Sequence, residues 1–106
     1  MINNINLNSI FDNKNFFVYK AQRGDTIKSI AERFHTTKEV IVQLNGLTSE
    51  ICVGQFLAVE KIEGEEYYVK PKDTFESIAF NSGKNPIELM IKNKTDFLYV
   101  GQKIYL

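Results

Sequence analysis

A chain of 106 residues holds one ordinary domain or two very small ones, and a composition of 43% hydrophobic and 25% charged residues excludes a disordered tail. Thirteen basic and thirteen acidic residues cancel, which argues against nucleic acid or any other partner held mainly through phosphate charge. Cys52 is the only cysteine, so no intrachain disulfide is available, and units this small must then be locally consistent with their fold.

The first sixteen residues, MINNINLNSIFDNKNF, are rich in Asn and lack the basic start and the apolar run of a secretory signal. No stretch approaches the roughly 20 apolar residues that span a bilayer, so no membrane association is expected. Read alone, the sequence is expected to be cytoplasmic, or to reach a cell wall, spore or phage particle by a route that reads no N-terminal signal. The tail 1–16 is either disordered or lays Ile2, Ile5, Leu7, Ile10 and Phe11 against a folded unit or a second chain.

A strand is predicted over Phe17–Ala21, rich in aromatic and β-branched residues. A turn follows, then a helix with Ile27, Ile30, Ala31 and Phe34 at helical spacing. A second helix opens around Thr36-Thr37 with Glu39 behind it, and a loop leads to a closing strand, Phe56–Val59. Cys52, between Ile51 and Val53, reads as a small buried residue. The stretch 60–66 carries four glutamates against Lys61 alone and contains Gly64, so it reads as a joint, spanning at most about 25 Å.

The same order then repeats. A strand at Tyr67–Lys70 precedes a helix with Phe75, Ile78 and Ala79 on one face, for which Asp73-x-x-Glu76 reads as the cap. Asn85-Pro86-Ile87-Glu88 opens a second helix with an N-cap side chain, a proline at the first position and a glutamate behind. The chain closes on a strand, Lys103–Leu106. Shifting the sequence by 48 places Tyr19 on Tyr67, Asp25-Thr26 on Asp73-Thr74, Ser29-Ile30-Ala31 on Ser77-Ile78-Ala79 and Asn45 on Asn93. One deletion brings Val53-Gly54-Gln55 onto Val100-Gly101-Gln102. The fold class expected is α+β: two consecutive small βααβ units, residues 17–59 and 67–106, each a two-stranded antiparallel sheet with two helices on one face.

The ordered set Tyr19-x-Ala21-x-x-Gly24-Asp25-Thr26-Ile27-x-x-Ile30-Ala31, then Ile41-x-x-x-Asn45, then Gly54-Gln55-x-Leu57-x-Val59 resembles a LysM module. The second unit matches as Tyr67-x-Val69-x-x-Lys72-Asp73-Thr74-Phe75-x-x-Ile78-Ala79, Leu89-x-x-x-Asn93 and Gly101-Gln102-x-Ile104-x-Leu106. The resemblance implies recognition of N-acetylglucosamine polymers, peptidoglycan or chitin-type oligosaccharides, in a shallow groove between the first-strand-to-helix loop and the second-helix-to-strand loop. Carried over by position, unit one would use Gly24, Asp25, Thr26 and Ile27 opposite Asn45, Gly46 and Leu47. Unit two would use Lys72, Asp73, Thr74 and Phe75 opposite Asn93, Lys94, Thr95, Asp96 and Phe97. An acetamido group offers one donor and one acceptor, which loop amides and carbonyls match without charge, while Ile27 or Phe75 would floor the acetyl methyl. An open, wet groove implies binding of roughly micromolar to millimolar strength per unit.

Each of these residues also has a structural reading. Asp25 and Asp73 stand where an N-cap is wanted, with Thr26 and Thr74 starting the helix. Asn45 and Asn93 suit a left-handed helix terminus. Gly54 and Gly101 suit a tight turn. Lys72 replaces the glycine of the first turn, Ser82 replaces Phe34 and Lys92 replaces Leu44, so unit one is the better-matched sugar site, although Phe97 and Tyr99 give unit two aromatic faces. No cofactor is implied. His35, the only histidine, reads as a surface residue at a helix end, no metal-ligand spacing occurs, and no nucleophile–base set is suggested, so the chain is expected not to be an enzyme. Modules of this kind also occur in spore-coat and phage or contractile baseplate proteins, so a protein–protein adaptor is the alternative to a glycan binder.

Overall fold

The computed structural model of the chain describes residues 15–106. The expectation for Ile2 to Phe11 lies outside the described residues. The elements follow in the order β1 (Phe16–Lys20), α1 (Ile27–Arg33), α2 (Lys38–Asn45), β2 (Phe56–Glu60), β3 (Glu66–Tyr68), α3 (Phe75–Ser82), α4 (Pro86–Asn93) and β4 (Lys103–Tyr105). β1 pairs antiparallel with β2, from Phe16 opposite Glu60 to Lys20 opposite Phe56, and β3 pairs antiparallel with β4, from Glu66 opposite Tyr105 to Tyr68 opposite Lys103. The architecture is thus two βααβ units of α+β class. Phe16, assigned to the tail by sequence, already belongs to β1.

Strand alternation aims Leu57 and Val59 of β2 inward, where they meet Ile30 and Ala31 of α1 and Ile41 of α2; Ile30, Ile41 and Val59 are fully buried. Val69, Phe75, Ile78, Ala79, Leu89 and Ile104 build the equivalent core of unit two. Each fully buried aliphatic side chain contributes about 1.5–3 kcal/mol, so half a dozen per unit carry most of the folding drive in the absence of a covalent staple.

The first helix of each unit starts one residue later than the sequence suggests, while the second helices start at the expected caps, Thr37 and Asn85. Thr26 and Thr74, not Asp25 and Asp73, are the N-caps: each threonine accepts from the amide of Ser29 or Ser77, and each serine hydroxyl accepts in return from the threonine amide, a reciprocal pair closing both ends of the first turn. The aspartates tie the preceding turn instead. Asp25 Oδ2 accepts from the Tyr19 hydroxyl and from the Gln22 amide at 2.8 Å, and Asp73 accepts from the Tyr67 hydroxyl at 2.6 Å and the Lys70 amide at 2.8 Å. Arg33 adds an ion pair to Asp25 at 2.7 Å and a hydrogen bond to Tyr19, for which unit two, with Asn81 at that place, has no counterpart. The Tyr19 hydroxyl first, then Arg33 and the Gln22 amide hold the Asp25 carboxyl down at about 2, against an ordinary 3.8; Tyr67 and the Lys70 amide lower Asp73 likewise.

Between the units the chain does not behave as a loose tether. Ile62 is buried with Val40 of α2 and Tyr105 of β4, and Leu44 packs against the three. Its amide donates to the His35 carbonyl at 2.9 Å, and its carbonyl accepts from His35 Nδ1 at 2.8 Å, so that imidazole carries its proton on Nδ1. His35 is therefore not a surface residue: it is half-buried, in left-handed backbone (φ 57°), with its ring 4.7 Å from that of Tyr105, whose own burial pushes its phenol up to about 12. Gly64 (φ 124°) lies so close to the Leu106 carbonyl that any Cβ would collide with it. Cys52 is exposed, because it sits in the turn that Gly54 (φ 89°) closes and the apolar flank Ile51 alone reaches the core.

Lys72 keeps the shape of the glycine it replaces, at φ 71° against 87° for Gly24. A left-handed side chain costs about 1–2 kcal/mol, and a glycine there returns part of that in unfolded-state entropy, so Lys72→Gly is expected to raise stability by about 0.5–1 kcal/mol in urea unfolding. The lowered aspartates set the acid response. Because the folded-state pKa of Asp25 lies below its unfolded value, its contribution is complete above about pH 4 and disappears as pH falls toward 2. The urea midpoint should drop across that window, and Asp25→Asn should start lower at neutral pH and fall less steeply.

Candidate functional site

Each unit has two loops facing one another at one end, the turn before the first helix and the segment between the second helix and the closing strand. In unit one, Gly24 supplies the positive φ of the first turn, Asp25 is half-buried in the bonds described above, and Thr26 is exposed at the cap. Ile27 packs its side chain partly into the core, which leaves its backbone amide at the start of α1. That amide is occupied: Glu50, from the opposite loop, accepts from Ile27 N at 2.8 Å and from Ile51 N at 3.1 Å. A carboxylate thus bridges the two walls of unit one, at the positive end of α1 where an acceptor is favoured.

Asn45 and Asn93 are not the left-handed helix termini considered from sequence. Both are the last helical residues, and the left-handed caps are the next ones, Gly46 (φ 62°) and Lys94 (φ 52°). The Asn45 carboxamide donates to the Ile41 and Ala58 carbonyls, both at 2.8 Å, and accepts from Ala58 N at 2.7 Å. Asn93 repeats this with Leu89 and Tyr105 and is 1% exposed, so its side chain is committed inward. Leu47 packs against the core of its unit.

In unit two, Asp73 and Thr74 duplicate their counterparts, while the Phe75 side chain is buried in the core, 4% exposed. Its amide, at the first position of α3, has no hydrogen-bond acceptor among the described residues, in contrast to Ile27. In the facing loop, Lys94 reaches Glu60 of unit one at 3.8 Å, Thr95 Oγ1 accepts from Phe97 N at 3.2 Å, Asp96 is exposed, and the Phe97 ring is 68% exposed. Phe97 stands where unit one has Glu50, once the one-residue deletion is allowed for. That exchange was visible in the repeat, but its meaning required knowing that Glu50 turns back onto Ile27.

Two further side chains shape the loops and went unassigned from sequence. Gln55 Oε1 accepts from Cys52 N at 3.1 Å, and Gln102 Oε1 accepts from Tyr99 N at 2.9 Å, each locking the turn that its neighbouring glycine opens. Among the described residues no group of three or more His, Cys, Asp or Glu side chains is placed to hold a metal ion, and no helix is long and apolar enough to cross a membrane.

The chain is 34% identical over 104 residues to the N-acetylmuramoyl-L-alanine amidase sle1 of Staphylococcus epidermidis, an alignment covering 82% of this chain and 32% of the amidase. It is 32% identical over 95 residues to the endolysin of Bacillus phage PZA, covering 83% of this chain and 37% of the endolysin. The chain therefore spans about a third of the length of these relatives. Among solved structures it is similar to the spore cortex-lytic enzyme SleL of Bacillus cereus, with 30% identity, a TM-score of 0.42 and coverage of 86% of this chain and 22% of that one. SleL of Bacillus megaterium gives 26% identity, a TM-score of 0.45 and coverage of 87% and 22%. The profile of the LysM domain matches residues 19–59 and 67–106, the two structural repeats, and the chain belongs to the LysM domain family.

Proposed function

We propose that this chain binds N-acetylglucosamine-containing glycan of the peptidoglycan type without catalysing any reaction on it, and that the groove of unit two is the more accessible of its two loop sites. Family membership supports the first part, as do relatives named for an N-acetylmuramoyl amidase and an endolysin that match over about a third of their length. The observation that carries the second part is the contrast at the helix starts. An acetamido carbonyl needs a backbone donor, and the Phe75 amide has no acceptor among the described residues whereas the Ile27 amide is held by Glu50. Phe97, exposed on the opposite wall, offers an aromatic face to the apolar side of a pyranose ring. The preference that sequence gave to unit one thus moves to unit two. In unit one the Glu50 carboxylate sits where the acetyl oxygen would be received, so sugar has to displace it.

A protein-docking role has one observation in its favour: Phe80 on α3 and Ile87 and Ile91 on α4 are 87%, 59% and 68% exposed. Copurification of a protein that Ile91→Ser releases, with no retention on purified cell wall, would establish the adaptor in place of the glycan binder.

Titration of isotope-labelled protein with N-acetylglucosamine oligomers should move the amides of Phe75, Glu76 and Thr95 to Phe97, with a Kd between roughly micromolar and millimolar. No movement at millimolar sugar would end the proposal. Phe97→Ala should weaken this binding about fivefold, the loss of one aromatic contact of about 1 kcal/mol. Glu50→Ala frees the Ile27 amide and should bring unit-one amides into the response at lower sugar concentration; an unchanged unit-one profile would show that Glu50 does not occlude the groove.

A further inference from the structure

Away from the loop grooves, a cavity of about 260 Å³ lies between the two units. α1 and α2 of unit one contribute Lys28, Glu32 and Lys38 to its walls, and unit two contributes Tyr68 of β3, Tyr99 and Lys103 of β4. Its volume lies just under the roughly 300–1,000 Å³ of small-ligand sites, room for one ring-sized unit and not for a long polymer segment. The family resemblance, which concerns single modules, says nothing of this place, because it exists only where the two copies dock.

The chemistry of the walls is particular. Both tyrosine rings are fixed through their hydroxyls: Tyr99 donates to Glu39 Oε2 across the unit boundary at 3.0 Å, and Tyr68 donates to Glu66 Oε1 at 3.3 Å. Their rings nonetheless remain 40% and 56% exposed. The Lys38 ammonium stands 5.4 Å from the centre of the Tyr99 ring. Neither Lys28, Lys38 nor Lys103 is in an ion pair among the described residues. The Lys103 ammonium lies 5.4 Å from the centre of the Tyr105 ring, and Lys28 lines the same cavity. Three lysines without a carboxylate partner among the described residues, lining one cavity with two tyrosine rings, suit a ligand with an apolar ring face and one negative substituent. Glu32, in the same wall, disfavours a polyanion such as nucleic acid; with Glu39 it leaves the lining residues one positive charge in excess, and Glu66 adds a carboxylate at the Tyr68 hydroxyl.

We propose that the inter-unit groove is a subsite for an acidic sugar unit, a pyranose bearing a carboxylate, whose ring lies on Tyr68 or Tyr99 and whose carboxylate is taken by Lys28, Lys38 and Lys103. Charge-assisted bonds to unpaired ammoniums supply the preference over a neutral sugar. This assignment rests on the glycan reading above and deepens it: the loop grooves take the acetamido groups, and the inter-unit groove takes the acid.

The test uses two probes on the intact chain, a neutral N-acetylglucosamine tetramer and a disaccharide of N-acetylglucosamine and N-acetylmuramic acid with its carboxylate free. Both should move the loop amides of unit two. Only the acidic probe should move Lys28, Lys38, Tyr68 and Tyr99, and at low salt the acidic probe should gain about three- to fivefold in affinity when those residues respond, a gain that shrinks as salt is raised. Lys28→Gln combined with Lys103→Gln should abolish the gain while leaving the tetramer's affinity unchanged, which also shows the variant is folded. A silent groove with responding loops overturns the subsite and leaves the glycan reading standing, and so does a groove that answers both probes equally. Silence of loops and groove toward both probes overturns the two together.

Discussion

The inward-turned carboxamide at the end of each second helix, buried for Asn93 and half-buried for Asn45, is the contact on which each unit depends. Asn45 and Asn93 satisfy a helix-terminal carbonyl and, at the same time, both hydrogen-bonding groups of one residue in the closing strand, Ala58 or Tyr105. One side chain thus fixes the position of a helix relative to a sheet of only two strands. Leaving either strand group unpaired inside the fold would cost about 1–3 kcal/mol, a large fraction of the stability of a unit with so small a core. The same bond sets where the loop after the helix begins. Its counterpart in the turn before the first helix is the aspartate that gathers the tyrosine hydroxyl and a turn amide, so both loops are held by polar bonds at the edge of the apolar core.

The duplicated architecture was legible in the sequence because each level of the code agreed with the others: helical spacing of Ile30, Ala31, Ile78 and Ala79, alternation in the closing strands, and turn glycines at matching offsets. The errors have a common origin. Asp25 and Asp73 were read as caps because an acid before an apolar run fits that role, yet the following threonine takes it when a serine three residues on can reciprocate, releasing the acid for a partner six residues back. Asn45, Asn93 and His35 were read locally, while their partners lie 12 to 27 residues away. Cys52 looked apolar by its neighbours, but the turn it occupies faces solvent. Bridging by Glu50 was illegible for the same reason, since the Ile27 amide it binds is 23 residues distant.

The two copies differ in what the equivalent side chains meet. Leu44 of α2 packs onto the cluster joining the units, whereas its equivalent, Lys92 of α4, turns to the Leu106 carbonyl, to which it donates at 2.8 Å. Phe34 fills the space between Phe17 and Tyr19, with ring centres 4.9 and 5.1 Å apart; Ser82 in unit two instead bonds back to the Ile78 carbonyl of its own helix at 2.7 Å.

Ile62 gives that docking a geometric outcome. Modules joined by a flexible string sample many separations, and the benefit of linking them falls off with the length of the string. Here a buried side chain, one backbone bond to His35 and one bond from its imidazole remove that freedom, so the spacing of the two units is set by packing. Such a pair works as a caliper locked at one opening: whatever each end carries is presented at a single interval.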